Sequence, residues 1–483
     1  MIMKKRLSFL LALVLCISLL PLPVVQAAEN NTNEVVTIAA QEKSTFSDWA
    51  LADLIVGDTY GIYPLSWYEK GLTDPMNEAQ LRILVAGLRY KILNTDCVTA
   101  YPESYGISVN KPITAENVLD VLFQVVSGYG YNKDLGLDSV TSPLDFMVEK
   151  GIFTGNPYEL ALEDRCTIEQ ACVYATRLVT YLYDALDAAS KGFFWEAKSQ
   201  GNTVYMLGSI HLASHDIYPL SKKILEAFHK SDALFVELNL LNTNGAAEML
   251  PYAMYTDGST LKDHVSDMTY QMVMELAAMF GISENEIAIF KPWFIYTMFS
   301  GLNYTDSGDQ SDASLAAQLG IDMKLTLDAM LYGKPIYELE GYAYQAQVLD
   351  SFSDDLEEYL LVSTLISIYN ILEGETSVAA NVLDNSLEYW REGDIEGFLE
   401  MSKASEYTDT SYEISEEEQI LIDEFNDKLL TQRDKHMADY IDDLLQAEGN
   451  NTYFVVVGSA HYVSDYSVLD ILAERGYEIN QIK

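Results

Sequence analysis

"TVYMLGSIH" occupies residues 203–211, and "TYFVVVGSAH" occupies residues 452–461. Both are apolar runs rich in β-branched and aromatic side chains, and both end in Gly-Ser, one apolar residue and His. Such runs suit strands that are buried on both faces. Outward from them, strands alternate with helices. Residues 193–197 and 203–207 are expected as two strands joined by a Gln-Gly-Asn turn, followed by a helix over 219–230 and the strand "ALFVELN" at 233–239. Helices are expected over 269–280, 311–331, 343–371 and 415–448, with the short strand "KPIYELE" at 334–340 among them. After the second quoted run comes a helix over 466–475. This alternation predicts an α/β domain, residues 191–483, built on a mostly parallel buried sheet with extensive helical insertions.

Functional groups in an open α/β sheet collect just beyond the carboxyl ends of the strands. If the two quoted strands are parallel neighbours, His211 and His461 emerge on one rim. The chain has only six histidines, so two in one four-residue frame point to a shared site. Two neutral imidazoles suit a divalent transition metal, and a carboxylate commonly completes such a set. Glu237, which closes the strand "FVELN", is the candidate third ligand. The plain alternative for each histidine is a satisfied polar residue at a strand end. His215, four residues after His211, makes "HLASH", but the glutamate of HExxH is missing and the segment begins on a strand end, so it is not counted as a ligand.

The first residues carry Lys4, Lys5 and Arg6, an apolar run to Leu20, and small residues near Ala27, the pattern of a signal peptide over 1–27. Export to a secreted or cell-surface location, with no stable membrane span after cleavage, is the expectation. The formal charge of −44 becomes −47 when those three basic residues go. Such a surface repels nucleic acid and anionic membranes and argues against both as partners. Cys97, Cys166 and Cys172 remain, too few and too scattered for a disulfide framework.

Residues 28–43 are polar and unpatterned, a linker. Residues 44–190 are expected to form a helical domain. One helix begins at Asn77 with Gln80 three residues on, and "ITAENVLDVLFQVV" at 113–126 is amphipathic. "FSD", "EKGIFTG" and "ITAEN" resemble S-layer homology modules, which implies a cell-wall polymer as partner. The Thr-Arg-Ala-Glu signature of those modules lacks its arginine in Thr114-Ala115-Glu116 and Thr167-Ile168-Glu169, and the alternative is a helical domain of other purpose.

"YMLGSIHLASHDIYPLSKKILEAFHKSDALFVELNL" and "YFVVVGSAHYVSDYSVLDILAERGYEI" resemble the two ends of the TraB/PrgY/GumN family, to which the animal TIKI proteins belong. "LAAQLGIDMKLTLDAMLYGKPIYELEGYAYQAQVL" is similar to its middle, with Gly-x-Asp, Gly-Lys-x-Ile, and Leu-Glu followed by Gln. "LLTQRDKHMADYI" matches the segment that usually carries Arg-Asn. The resemblance covers about residues 193–483. It implies a metal-dependent hydrolase-like fold; TIKI proteins are described as divalent-metal proteases acting near substrate amino termini, while enterococcal members lower peptide-pheromone activity. Carried over by position, His211, His461 and Glu237 are the ligand set for a divalent ion (Mn, Co or Zn), and Glu340, Gln345 and Arg433 match further motif positions. Arg433 could hold a substrate carboxylate or an oxyanion, or form an ordinary salt bridge. Glu340 could act as base, orient a ligand, or cap the next helix. Asp434 stands where asparagine is usual and Gly341 where threonine often follows, and neither is expected to touch the proposed ligands. The expected function is a secreted metal-dependent hydrolase, a peptidase acting on peptides or protein amino termini; the alternative is a non-catalytic peptide- or pheromone-binding protein at the cell surface.

Overall fold

The computed structural model describes residues 45–106, 113–155, 162–304, 310–407 and 415–483. The expected signal peptide and linker lie outside the described residues. Those described fall into two units. One takes in the described part of Glu29–Ser190 together with His215–Lys222, and the other takes in Lys191–Ser214 and Lys223–Lys483.

The first unit is helical, with helices Leu51–Tyr60, Glu78–Leu93, Ala115–Ser127, Pro143–Glu149 and Ile168–Leu186. Strands β1 (Val98–Ala100) and β2 (Gly130–Tyr131) form a small antiparallel pair. Asn77 and Gln80 close a reciprocal capping box at the start of Glu78–Leu93, and Thr167 with Gln170 does the same for Ile168–Leu186. Lys91 is fully buried, and its ammonium donates to the carbonyls of His215 (2.6 Å) and Tyr218 (2.7 Å).

The second unit holds a six-stranded sheet of β3 (Phe193–Ser199), β4 (Asn202–Ser209), β5 (Ala233–Val236), β6 (Ile336–Glu338), β7 (Thr452–Gly458) and β8 (Ile479–Gln481). Their order is β6-β5-β7-β4-β3-β8. The sheet is mixed. Strands β6, β5, β7 and β4 run parallel, whereas β3 pairs antiparallel with both β4 and β8. The cause is local: β3 and β4 are joined by Gln200-Gly201, both at positive φ (49° and 91°), a tight turn that permits only an antiparallel hairpin. Phe454, Val455, Val456 and Val457 of β7 are all buried at the centre, as the quoted run requires.

Three expected helices are broken. The stretch 311–331 divides into Gln310–Gln318 and Ile321–Leu331. A Cβ on Gly320 would lie 2.3 Å from the carbonyl oxygen of His211, and Ile321 N donates to the Ile210 carbonyl, so the chain breaks where it meets the end of β4. The stretch 343–371 divides into Tyr342–Asp350 and Asp354–Leu372, the latter started by the Ser353 hydroxyl accepting from Leu356 N. The last stretch divides into Glu416–Asn426 and Gln432–Gln446, joined by a π-helical turn at Asp427–Thr431. Among the described residues no helix is long and apolar enough to cross a membrane.

Candidate active site

Strands β4 and β7 are parallel neighbours, paired Gly208 to Val457 and Ser209 to Gly458, so their Gly-Ser-x-His ends are offset by one residue. Strand β5 flanks β7 on its other side with Val236 opposite Val456, and β6 follows with Glu338 opposite Val236. His211, His461, Glu237 and Glu340 therefore all follow the carboxyl ends of four adjacent parallel strands. All four side chains are buried, at 2 % exposure or less.

Three helices supply the partners. From Gln432–Gln446, Arg433 donates through Nε to Glu340 Oε1 (2.8 Å) and through Nη2 to Glu340 Oε2 (2.8 Å). The same Nη2 also donates to Glu237 Oε2. From Tyr342–Asp350, Gln345 Nε2 donates to Glu237 (3.1 Å) and Glu340 (2.8 Å). Glu237 Oε1 accepts from Gly458 N at 2.6 Å, which ties β5 to the end of β7. Gly341 holds φ at +81°, and its N–H donates to the Glu237 carbonyl. Burial alone would raise the Glu237 carboxyl, but Arg433, His461, His211 and the Gly458 N–H outweigh it and hold it down to about 2.

Each histidine is oriented by an aspartate. His211 Nδ1 lies 3.0 Å from Asp322 Oδ1, on the helix Ile321–Leu331. His461 Nδ1 lies 2.6 Å from Asp434 Oδ1, next to Arg433. A carboxylate only accepts, so in the neutral ring Nδ1 carries the proton and Nε2 keeps its lone pair. Burial works against protonation of His211, yet Asp322 and Glu237 raise it above the ordinary range. Asp434 is raised by burial against the pull of His461. The expectation that Asp434 and Gly341 stay clear of the ligand candidates is wrong for both, since Gly341 N–H meets the Glu237 carbonyl and Asp434 meets the His461 ring. Asp434 touches His461 because the helix bearing Arg433 presents two consecutive residues to three strand ends, Arg433 to those of β5 and β6 and Asp434 to that of β7.

Among the described residues, His461 Nε2 and Asp322 Oδ2 are buried with no hydrogen-bond partner, as are the Ser209 and Tyr462 hydroxyls. The cluster holds four buried carboxylates (Glu237, Asp322, Glu340, Asp434) and one guanidinium, an excess of three negative charges if all are ionised and both histidines are neutral. An unsatisfied imidazole nitrogen beside excess negative charge suits a cation. Yet among the described residues no group of three or more His, Cys, Asp or Glu stands ready to hold a metal ion. Both Glu237 oxygens are engaged, Oε2 by Arg433 and Gln345 and Oε1 by Gly458 N. His215 lies in the other unit, its Nδ1 2.9 Å from the Thr59 carbonyl oxygen.

The sequence reasoning did not foresee Asp322 and Asp434 as histidine partners. Asp322 was in view as the aspartate of Gly320-Ile321-Asp322, and its position behind the Gly320 break is the signal that could have found it. Tyr462 carries no such signal beyond following His461.

The sequence model of the TraB/PrgY/gumN family matches residues 193–481. The chain is 28 % identical over 150 residues to the uncharacterized protein YbaP of Escherichia coli (strain K12), covering 31 % of this chain and 53 % of that one. It is 22 % identical over 319 residues to the metalloprotease TIKI homolog of Nematostella vectensis (60 % of this chain, 67 % of that one). It is 21 % identical over 308 residues to metalloprotease TIKI2 of Danio rerio (57 % of each). It thus spans about half to two thirds of the length of these relatives. No solved structure gives a significant match.

Proposed function

Since the chain belongs to the TraB/PrgY/gumN family, we propose that it is a metal-dependent hydrolase, a peptidase, acting at the rim formed by β4, β7, β5 and β6. The observation that carries this reading is the pair of buried histidines, each fixed at Nδ1 by an aspartate, with His461 Nε2 unsatisfied amid excess negative charge. His211 and His461 would hold a divalent cation through Nε2, with Glu237 supplying charge and, after a shift away from Arg433, a ligand oxygen. Such a cation polarises a scissile carbonyl and lowers the pKa of bound water. The relatives named as metalloproteases support the same class. The signal-peptide pattern favours action outside the cytoplasm.

The chain's own residues have separable parts in this reading. Asp322 and Asp434 fix the tautomer and aim the rings. Glu237, held near 2, is too weak a base to take a proton from water at neutral pH, so its part is electrostatic. Arg433 and Gln345 hold Glu237 and Glu340 side by side. Arg433 acts here as a clamp on two carboxylates.

The test is metal analysis of the dialysed protein, followed by digestion of a peptide library with manganese, cobalt and zinc in turn. Wild type should retain or take up a divalent ion and cleave peptides. His211→Ala and His461→Ala should each lose tight metal binding while keeping a cooperative unfolding transition. A metal-loaded wild type that binds peptides and cleaves none would replace hydrolysis with peptide capture. Full stoichiometric metal in either histidine variant would move the metal elsewhere.

A further inference from the structure

The helical unit carries a pocket of about 290 Å³, walled by Arg89 of Glu78–Leu93, Gln124 of Ala115–Ser127, Tyr129, and the segment from Pro102 through Glu103 to Gly106. Its volume is near the lower bound for small-ligand sites. Two of its lining groups are anomalous. Arg89 Nε and the Tyr129 hydroxyl are both buried and have no hydrogen-bond partner among the described residues, and Tyr129 as a whole is only 5 % exposed. A buried donor left unpaired carries the full cost of its lost hydration, and more so when it belongs to a charged group. Two such donors in one small pocket are best explained by an acceptor that both reach.

The chemistry of that acceptor follows from the donors. The Arg89 guanidinium carbon stands 5.2 Å from the centre of the Tyr105 ring, which takes its face and leaves its N–H edge for a planar or tetrahedral oxyanion. A phenol is protonated at neutral pH and donates to the same kind of oxygen. Among the described residues no carboxylate forms an ion pair with Arg89. Glu103, which is exposed at the pocket, would repel a bare anion but accept from a hydroxyl beside the anionic head. We propose that this pocket binds a small hydroxylated oxyanion, a carboxylate or phosphate ester, whose charged head is taken by Arg89 and Tyr129. The site is separate from the strand-end cluster and does not depend on the hydrolase reading.

The full chain is titrated calorimetrically with gluconate, inorganic phosphate and, as the uncharged counterpart, glucose. Gluconate should bind saturably, phosphate more weakly, and glucose not at all. Tyr129→Phe removes one oxygen that has no partner among the described residues, so it should leave the melting temperature of the free protein unchanged or higher while weakening gluconate at least tenfold. Arg89→Met should weaken it by a similar factor or more; if that variant fails to fold, Tyr129→Phe decides alone. Absence of saturable binding by both gluconate and phosphate would overturn the proposal. So would equal affinity in wild type and Tyr129→Phe, or a lowered melting temperature in that variant, which would mean that the hydroxyl is paired internally.

Discussion

Arg433 donates to Glu340 through two nitrogens and to Glu237 through one of them, at 2 % exposure. Removing one partner of a buried charge group leaves the others uncompensated, which costs ~3–5 kcal/mol. Arg433→Met is therefore expected to lower unfolding stability in urea by about that amount, since two carboxylates would lose their counterion. A loss under ~1 kcal/mol would mean that the carboxylates are neutralised in another way, as a surface pair would be. At this scale the sequence was legible where position follows from a strand: His211, His461, Glu237 and Glu340 each follow a strand end, and periodicity locates strand ends. It was not legible for Asp322 and Asp434. Their partners are chosen by where helices from distant parts of the chain cross the rim, and no local spacing encodes that.

Gly320 shows the same limit for whole elements. Apolar spacing over 311–331 describes one helix, but the backbone must pass against the His211 carbonyl, and that requirement is tertiary. Gly320→Ala would put a methyl 2.3 Å from that oxygen, too close for any contact between atoms. The variant should lose ~1–3 kcal/mol of stability, and it should also weaken cation binding, because His211 and Asp322 sit on either side of the contact. Unaltered cation binding would show that the break is independent of the site. A second element carries a titration. Burial pushes the Glu357 carboxyl, on Asp354–Leu372, from 4.5 up to about 8, with Asp350 and Asp354 adding and Lys291 opposing. Its folded pKa lies above its unfolded one, so its contribution is full below 4.5 and is lost as pH rises toward 8. Glu357→Gln stays neutral throughout. It should match wild type near pH 4.5 and exceed it at pH 8.5 by ~1–4 kcal/mol in urea unfolding. Equal stability at both pH values would sink the assignment.

At the scale of the whole chain, strand and helix alternation after residue 191 made the sheet readable, but the expectation of a mostly parallel sheet did not include the antiparallel pairing of β3 with β4 and β8. What alternation could not reveal is that His215–Lys222, embedded in the α/β sequence, is grouped with the helical unit. Its anchors are specific: Thr59 O near His215, Asn94 donating to the Asp216 carbonyl, Lys91 on the carbonyls of His215 and Tyr218, and Ser190 N on the Pro219 carbonyl. A chain of residues 191–483 contains all six strands of the sheet, so it should fold with a single cooperative transition. It lacks every one of those anchors. Residues 215–222 should then exchange their amide hydrogens orders of magnitude faster than in the full protein and become the first site of limited proteolysis, while β4 and β7 stay protected. Hydrogen exchange read by mass spectrometry on both proteins checks this segment by segment. An insoluble or molten fragment would show that the sheet needs the helical residues to complete its core. Unchanged protection of 215–222 would show that the segment is held by the α/β residues on either side of it, and that Lys91 and its neighbours only follow its position.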